Sequence, residues 1–168
     1  MAYNGLGQCP HDLHSAAVGV QAGVARWPKL ASPADMSGAK PLSTEADREC
    51  LSPYFDCDKT IDVPLVSFAD LLGKRPHWDL VHMDVQGSEL ELCNACRQPL
   101  AERVRYLVVG THWRSIDGQM MDLMFGEGWA LEYEKPAVMK CPVPANTPHI
   151  FHHTAVDGVQ VWRNPRID

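Results

Sequence analysis

Two short apolar runs separated by a helical segment constrain the fold of this chain more than any other feature. The first run, DLVHMDV from Asp79, gives way to polar residues at Asp84, which is typical of a buried strand with a polar carboxyl end. SELELCNACRQ then predicts a helix that ends before Pro99, and VRYLVVG, Val104–Gly110, predicts a second buried strand. A strand, a helix and a strand make a βαβ unit with parallel strands.

The α/β pattern continues on both sides of this unit. Upstream, Ser67 and Asp70 have the spacing of a capping box before a short helix, FADLL, that Gly73 ends. Downstream, apolar residues recur at helical spacing after Ser115, the predicted N-cap, and before a glycine stop: Ile116, Met120 and Leu123, then Gly126 or Gly128. We therefore predict an α/β fold.

The rest of the chain has weaker signals. Residues 129–134 and 159–162 alternate with a period of two, which predicts antiparallel strands at the end of the sheet. Residues 135–157 contain four prolines and three histidines and predict a long surface loop. Near the start, LHSAAVG and GVARW have strand character, and residues 31–62 predict a loop with room for one short helix.

Length and charge limit the class of protein. A chain of 168 residues is long enough for one sizeable core and too short for two, so we expect a single domain. The formal net charge is −6 and no basic run occurs, which argues against a nucleic-acid partner. The first residues do not form a signal peptide, and no window is apolar for the length of a membrane span. We therefore expect a cytoplasmic protein with no membrane partner.

The cysteines and histidines offer little support for a metal site. The six cysteines are expected to be free thiols. Cys93 and Cys96 have ligand spacing, but no second close pair follows, and on a helix they are expected to face the core. His152 and His153 have no carboxylate or thiol at ligand spacing. No metal is expected, and a small zinc protein is the weakest hypothesis for this chain.

Polar side chains gather directly after the two strands of the βαβ unit. The first group is Asp84, Gln86, Gly87 and Glu89, and the second is Gly110, Thr111, His112, Trp113 and Arg114. In open α/β sheets ligands bind beyond the carboxyl ends of the strands. Adjacent parallel strands would bring the two groups face to face, with carboxylates, an imidazole and a guanidinium around one crevice.

Structural explanations remain open for several of these residues. Asp84 or Gln86 could satisfy a backbone turn, and Glu89 could be an acid that the helix dipole favours in the first turn. Thr111 and Arg114 could be turn and surface residues. His82, which lies inside the first strand, could be a hydrogen-bonded histidine of the core.

Longer runs of the sequence resemble a known family. WDLVHMDVQGSELE, then VRYLVVGTHWRSIDGQMMDLMFGEGWALEYEKP, and the closing DGVQVWRNPR resemble the FkbM-type methyltransferases in order and spacing. The opening HDLHSAAVGVQAGVARWP resembles the third strand of that family's sheet and the hairpin after it. The resemblance covers nearly the whole chain. It implies methyl transfer from S-adenosylmethionine to an oxygen of a small molecule, such as a sugar or polyketide hydroxyl.

The resemblance implies roles for the candidate residues. His112 is the first choice as general base, because an imidazole titrates near neutrality, and Glu89 is the second. Asp84 is expected near the positive end of the cofactor, and Ala17 near its adenine. Contacts with the methyl acceptor are expected from three further residues: Gln86, Trp113 and Arg114.

The resemblance also implies a partial domain. The family has a class I, Rossmann-like sheet of order 3-2-1-4-5-7-6, and residues 1–168 match strands 3, 4, 5, 6 and 7 but not strands 1 and 2. We therefore expect a truncated domain with antiparallel strands at its carboxyl-terminal end, which does not bind S-adenosylmethionine measurably by itself. Its free fourth strand is expected to favour self-association. The alternative is a non-catalytic remnant or subunit of such an enzyme.

Overall fold

The structure is a computed structural model that describes residues 11–29, 40–43, 45–51, 55–146 and 153–167. In chain order its strands are β1 (Ala17–Gly19), β2 (Gly23–Pro28), β3 (Thr60–Ser67), β4 (Trp78–Met83), β5 (Val104–Thr111), β6 (Ala130–Lys135), β7 (Val138–Met139), β8 (Thr154–Val156) and β9 (Gly158–Arg163). Its helices are α1 (Glu45–Leu51), α2 (Phe68–Gly73), α3 (Glu89–Ala95), α4 (Arg97–Arg103) and α5 (Arg114–Gly126). The predicted mixed α/β class is confirmed.

The largest sheet has four strands in the order β4-β5-β9-β6. β4 and β5 are parallel, with Met83 opposite Val109. β9 is antiparallel to both of its neighbours, β5 and β6. The βαβ unit and the antiparallel strands after it are therefore present, and the carboxyl ends of β4 and β5 lie side by side.

A second sheet of three strands has β3 at its centre. β1 is parallel to β3, and β2 is antiparallel to it. The predicted loop over residues 31–62 is wrong from Thr60 onward, where β3 begins, whereas α1 is the short helix expected within it. Pro64 lies opposite Val24 in this ladder. A proline inside a run argues against a strand, which is why the sequence did not indicate β3.

The helix ends agree with the sequence at three positions and differ at two. The agreements are Ser67 before α2, Gly73 at the end of α2 and Gly126 at the end of α5. The side chain of Ser67 accepts a hydrogen bond from the backbone N–H of Asp70 at 3.2 Å, which confirms the predicted cap of α2. The helix predicted to stop before Pro99 is followed by α4, which holds that proline in its first turn, where a missing N–H leaves no hydrogen bond unmade. α5 has Trp113 at its N-cap and not Ser115.

One hydrophobic cluster joins α2, α3, α4 and α5 to β4, β5 and β9. Trp162 of β9 is fully buried in it. The prediction that Cys93 and Cys96 face the core is confirmed, because each is 1% exposed. Burial raises the pKa of the Cys93 thiol to about 12, so this thiol is uncharged and unreactive. Cys57 and Cys141 are free as well. Cys9 and the side chain of Cys50 lie outside the described part.

β4 is more exposed than its sequence indicates. Asp79, Leu80 and His82 are exposed, so the predictions of a buried strand and of a core histidine at His82 are wrong. Within the described ranges β4 pairs with β5 alone, and the other edge of the strand has no neighbour. Leu80 is 55% exposed as a result. Whether a strand lies at an edge depends on distant parts of the chain, which its own residues do not encode.

The segment between β6 and β9 is partly ordered into strands. β7 and β8 pair in antiparallel fashion, and Ala137 is buried, so the prediction of one long surface loop over residues 135–157 is wrong for these parts. His152 lies outside the described residues. Among the helices that the structure describes, none is long and apolar enough to cross a membrane.

Candidate active site

The turn after β4 is held closed by a buried carboxylate. Gln86 and Gly87 have positive φ values of 55° and 100°, a left-handed conformation that glycine adopts without strain. Oε1 of Glu89 accepts hydrogen bonds from the backbone N–H of Val85 at 3.0 Å and of Gly87 at 3.2 Å. Glu89 is fully buried. It therefore satisfies the turn and also directs one charge into the interior of the site.

A network of buried polar groups fixes the end of β5. The hydroxyl of Thr111 donates to Asp117 of α5, and the same carboxylate accepts from the backbone N–H of Ala137 at 2.9 Å. A Cβ on Gly158 would lie 2.3 Å from the Thr111 hydroxyl, so this position has room only for glycine. The expectation of a surface turn at Thr111 is wrong, because its side chain is fully buried. The next residue, His112, is thereby held at a defined place.

The imidazole of His112 lies between two carboxylates. Its Nδ1 is 2.9 Å from Oε1 of Glu89, and its Nε2 is 3.1 Å from Oδ1 of Asp84. The Nδ1 contact has the length of an ion pair but is poorly aligned as a hydrogen bond, and Oε2 of Glu89 has no hydrogen-bond partner. His112 is 8% exposed, whereas the side chain of Asp84 is 54% exposed. The imidazole therefore has an exposed carboxylate at Nε2 and a buried one at Nδ1.

Electrostatics favour the charged form of this pair. Burial by itself lowers the pKa of His112, but the hydrogen bond and charge of Glu89, with the charges of Asp157 and Asp84, raise it above the ordinary value. Burial also raises the pKa of Glu89. The contact with His112 and the backbone N–H groups outweigh that effect and lower it. At neutral pH the carboxylate is ionised, and the imidazole is more protonated than in solution.

Asp84, Glu89 and His112 lie close enough together to be considered for cation binding as well as for proton transfer. One ligand atom from each of Asp84, Glu89 and His112 lies within 4.8 Å of the others, a set that could hold a metal. The two carboxylates contact different nitrogens of the ring, Asp84 at Nε2 and Glu89 at Nδ1. An imidazole with a carboxylate at each nitrogen is an arrangement suited to proton transfer.

Trp113 covers the turn at Gly87. A Cβ built on Gly87 would lie 2.0 Å from the indole of Trp113, and the two aromatic rings of His112 and Trp113 meet edge to face at 6.3 Å. Trp113 is half-buried. The indole therefore packs on the turn that Glu89 closes, next to the imidazole.

We expect Gly87→Ala to destabilise the protein by about 1 kcal/mol or more, because alanine is strained at this φ and its methyl group displaces the indole. Trp113 fluorescence should change together with the urea midpoint. Gly118→Ala is the matched control, since a Cβ there meets nothing within 4 Å. Gly118 lies within α5, where alanine should stabilise the fold by about 0.5–1 kcal/mol. A Gly87→Ala protein as stable as the wild type would contradict this packing.

The other candidate residues are distributed around this centre. The side chain of Gln86 donates a hydrogen bond to Asp84 at 3.3 Å, so Gln86 is part of the site around His112. Arg114 is exposed and its guanidinium lies 3.5 Å from Asp117, as expected for a surface residue. Ala17 lies in the other sheet, paired with Leu65. Sequence reasoning missed Asp157, whose charge acts on His112, because it is the last residue of the segment, 135–157, that the sequence predicts to be a surface loop.

A cavity of about 450 Å³ is lined by residues of both sheets. Val18, the neighbour of Ala17, lines one side of it, and Asp84 lines another. Apolar side chains of α2 and β4 line the cavity. Two charged residues directly after α2, Lys74 and Arg75, line it as well. The volume is within the range of small-molecule sites. Asp84 therefore faces both the cavity and His112.

A comparison with known proteins finds similarity to a protein that is named as a methyltransferase. The chain is 32% identical over 165 residues, 98% of its length, to a protein of Jannaschia sp. (strain CCS1) named "Putative methyltransferase". It covers 56% of that protein, so it spans little more than half the length of this relative. No protein-family model matches the chain. No solved structure matches it.

Proposed function

We propose that this chain is part of an S-adenosylmethionine-dependent methyltransferase that methylates an oxygen of a small molecule. The observation that carries the proposal is the imidazole of His112 between Asp84 and Glu89, at the carboxyl ends of two parallel strands. The similarity to a protein named as a methyltransferase, over nearly the whole chain, supports the same activity. The acceptor is proposed to be a sugar or polyketide hydroxyl.

The strand order supports an FkbM-type, Rossmann-like arrangement. The order β4-β5-β9-β6 is the one expected for strands 4-5-7-6 of the family sheet. β1 is proposed to correspond to strand 3, and strands 1 and 2 of the family would then lie between β1 and β4, both of which line the cavity. This correspondence supports one partial methyltransferase domain over the length of the chain.

The residues of the site suit cofactor and acceptor binding. The bound cofactor supplies a methyl group on a positively charged sulfur, which is already activated for displacement. Asp84 is half-exposed at the cavity and offers a carboxylate to that charge, and Val18 also lines the cavity. Ala17, the neighbour of Val18, is proposed to lie near the adenine. Gln86, which donates to Asp84, and Trp113, which meets the imidazole edge to face, are proposed to contact the acceptor together with Arg114.

His112 is proposed to remove the proton of the acceptor hydroxyl. Its Nε2 faces the open side of the site, whereas Nδ1 faces the buried Glu89. Glu89 is fully buried, so it acts through His112 by fixing the orientation of the ring and is poorly placed to touch the acceptor itself. The sequence-based choice of His112 before Glu89 as base is kept in this proposal, with Glu89 as the positioning residue.

A second candidate is a non-catalytic remnant or subunit, and the edge position of β4 favours it. Among the residues that the structure describes, no strand pairs with the outer edge of β4, and Leu80, Val81 and His82 of this strand line the cavity. A site with one open wall binds a cofactor weakly, and an unpaired strand edge attracts a further strand. Self-association through β4 is proposed on the same grounds, and size-exclusion chromatography of the purified chain tests it.

Calorimetric titration with S-adenosylmethionine distinguishes the two candidates. Micromolar binding by the 168-residue chain would support a working cofactor site, and Asp84→Asn should then weaken binding about tenfold, because the variant removes one charge near the sulfonium. Asp79→Asn is the matched control, since Asp79 is exposed and does not line the cavity. Absence of binding would favour the non-catalytic candidate. Equal affinity of the wild type and Asp84→Asn would remove Asp84 from the cofactor site.

A further inference from the structure

The two carboxylates that hold His112 differ in how easily they can move. Glu89 is fully buried and is fixed by the N–H groups of Val85 and Gly87. Asp84 is 54% exposed, lies directly after β4, and has one side-chain partner besides His112, a 3.3 Å contact with Gln86. The contact of His112 with Glu89 is therefore fixed, whereas its contact with Asp84 can be exchanged for another.

We infer that Asp84 is an exchangeable partner of His112: it holds a proton on Nε2 in the empty site, and a cationic group that binds beside Asp84 releases that proton to solvent. The inference rests on the proposed function, because the cationic group is the sulfonium of the cofactor. The same event that brings in the methyl donor would thus convert His112 into a base.

The charges around the ring support this exchange. Three carboxylates act on His112: Glu89 from α3, Asp84 from the turn after β4, and Asp157 from the segment before β9. The nearest cationic side chain of its own helix end, Arg114, is directed to Asp117. A positive charge beside Asp84 would offset the charge of this exposed carboxylate. The protonated imidazole of His112 would then lose part of its stabilisation.

The proton balance leaves the ring in the form that catalysis needs. The proton on Nε2 passes to a buffer base, and the proton on Nδ1 stays beside Glu89. The neutral ring then presents the lone pair of Nε2 to the open side of the site. This tautomer accepts a proton from an acceptor hydroxyl, whereas the opposite tautomer does not.

The test follows the C–H signals of His112 by NMR against pH, in histidine-labelled chain with His112→Ala to assign them. S-adenosylmethionine and S-adenosylhomocysteine, each at millimolar concentration, are a matched pair, because only the first carries a charge on sulfur. We expect the midpoint of His112 to fall by about one pH unit with S-adenosylmethionine and to change much less with S-adenosylhomocysteine.

Two variants locate the effect. Asp84→Asn should lower the midpoint of the empty site by about one pH unit and abolish the difference between the two ligands. Asp84 is exposed, so this variant is expected to fold. Asp157→Asn should retain the difference between the two ligands. In the described part of the chain, the imidazole makes its ion pairs with Asp84 and Glu89 and not with Asp157.

The outcomes separate the inference from the function on which it rests. If both ligands perturb signals of the site and the midpoint of His112 is the same with each, the exchange does not occur and the proposed function stands. If neither ligand perturbs any signal at millimolar concentration, the proposed function fails for this chain and the inference fails with it. A ligand difference that survives in Asp84→Asn would assign the effect to another group.

Discussion

Replacement of His112 by alanine is expected to lower the rate of methyl transfer about a hundredfold or more, in whichever form of the protein is active. The imidazole is the titratable group whose nitrogen faces the open side of the site, and Glu89 behind it is fully buried. Removing the ring removes the proposed base, and the half-exposed carboxylate of Asp84 is proposed to bind the cofactor instead. Turnover at saturating acceptor, measured by conversion of the cofactor, is the relevant quantity.

The affinity for S-adenosylmethionine should change much less than turnover in this variant, since Asp84 and the cavity remain. His77→Ala is the matched control, because His77 is an exposed histidine outside the cavity, paired with Asp79. Its turnover should equal that of the wild type. Unchanged turnover in His112→Ala with an unactivated hydroxyl as acceptor would show that His112 is not the base.

The pH profile of kcat/KM for the cofactor should show the raised pKa of His112, because this ratio reports the empty site. A general base works in its neutral form, so kcat/KM should fall as pH falls through that pKa, at a higher pH than the ordinary value of 6.5 allows. Asp84→Asn should move this limb to lower pH, because it removes one of the charges that favour the imidazolium. A limb at the same pH in both proteins would contradict the role of Asp84.

Replacement of Glu89 by alanine is expected to reduce the free energy of unfolding by about 3 kcal/mol. The change leaves the N–H groups of Val85 and Gly87 and a buried imidazole without their carboxylate. Urea unfolding measures the effect. Glu91→Ala is the matched control, because Glu91 is an acid in the first turn of the same helix but is exposed, and its effect should be within about 0.5 kcal/mol of zero.

The stability that Glu89 and His112 provide should depend on pH in a definite way. The pKa of Glu89 is lowered by folding, so its contribution is present above the ordinary value of 4.5 and is lost as pH falls through the folded value. The pKa of His112 is raised, so its contribution is complete below 6.5 and is lost as pH rises through the folded value. The difference in the free energy of unfolding between wild type and Glu89→Ala should therefore be largest between pH 4.5 and pH 6.5.

An equal loss of stability in Glu89→Ala and Glu91→Ala would contradict this account of the buried carboxylate. Glu89→Gln refines the comparison, since it keeps an acceptor for the two N–H groups and removes the charge. It should retain more stability than the alanine variant. It should still lower the midpoint of His112, because the charge that favours the imidazolium is gone.

The site could be predicted from the sequence because it depends on local signals and one general rule. An apolar run that ends in polar residues marks the carboxyl end of a strand, and parallel strands place such ends side by side. Asp84, Glu89 and His112 were singled out on these grounds, and the structure brings them into contact. The direction in which each nitrogen of His112 points depends on the folded geometry and was not accessible.

Long-range features were the ones that the sequence did not reveal. The apolar strand around His82 predicts a core position, but in the described part of the chain β4 pairs on one side alone, with β5, and His82 is exposed. The contact between Thr111 and Asp117 joins the end of a strand to a helix, and Ala137 joins them from beyond β6. Asp157 acts on His112 from a segment with no regular signal. These contacts depend on tertiary packing, for which spacing along the chain gives no rule.

The position of β9 between β5 and β6 has a consequence for synthesis on the ribosome. Both neighbours are translated before Gly158–Arg163, so a nascent chain that contains them still lacks the strand that joins them. Until those six residues emerge, the edge of β5 and the place that Trp162 fills in the core stay open to other chains. Translation that stops before Gly158 should therefore yield a chaperone-dependent and rapidly degraded product, even though the whole cluster of Asp84, Glu89 and His112 has already been made.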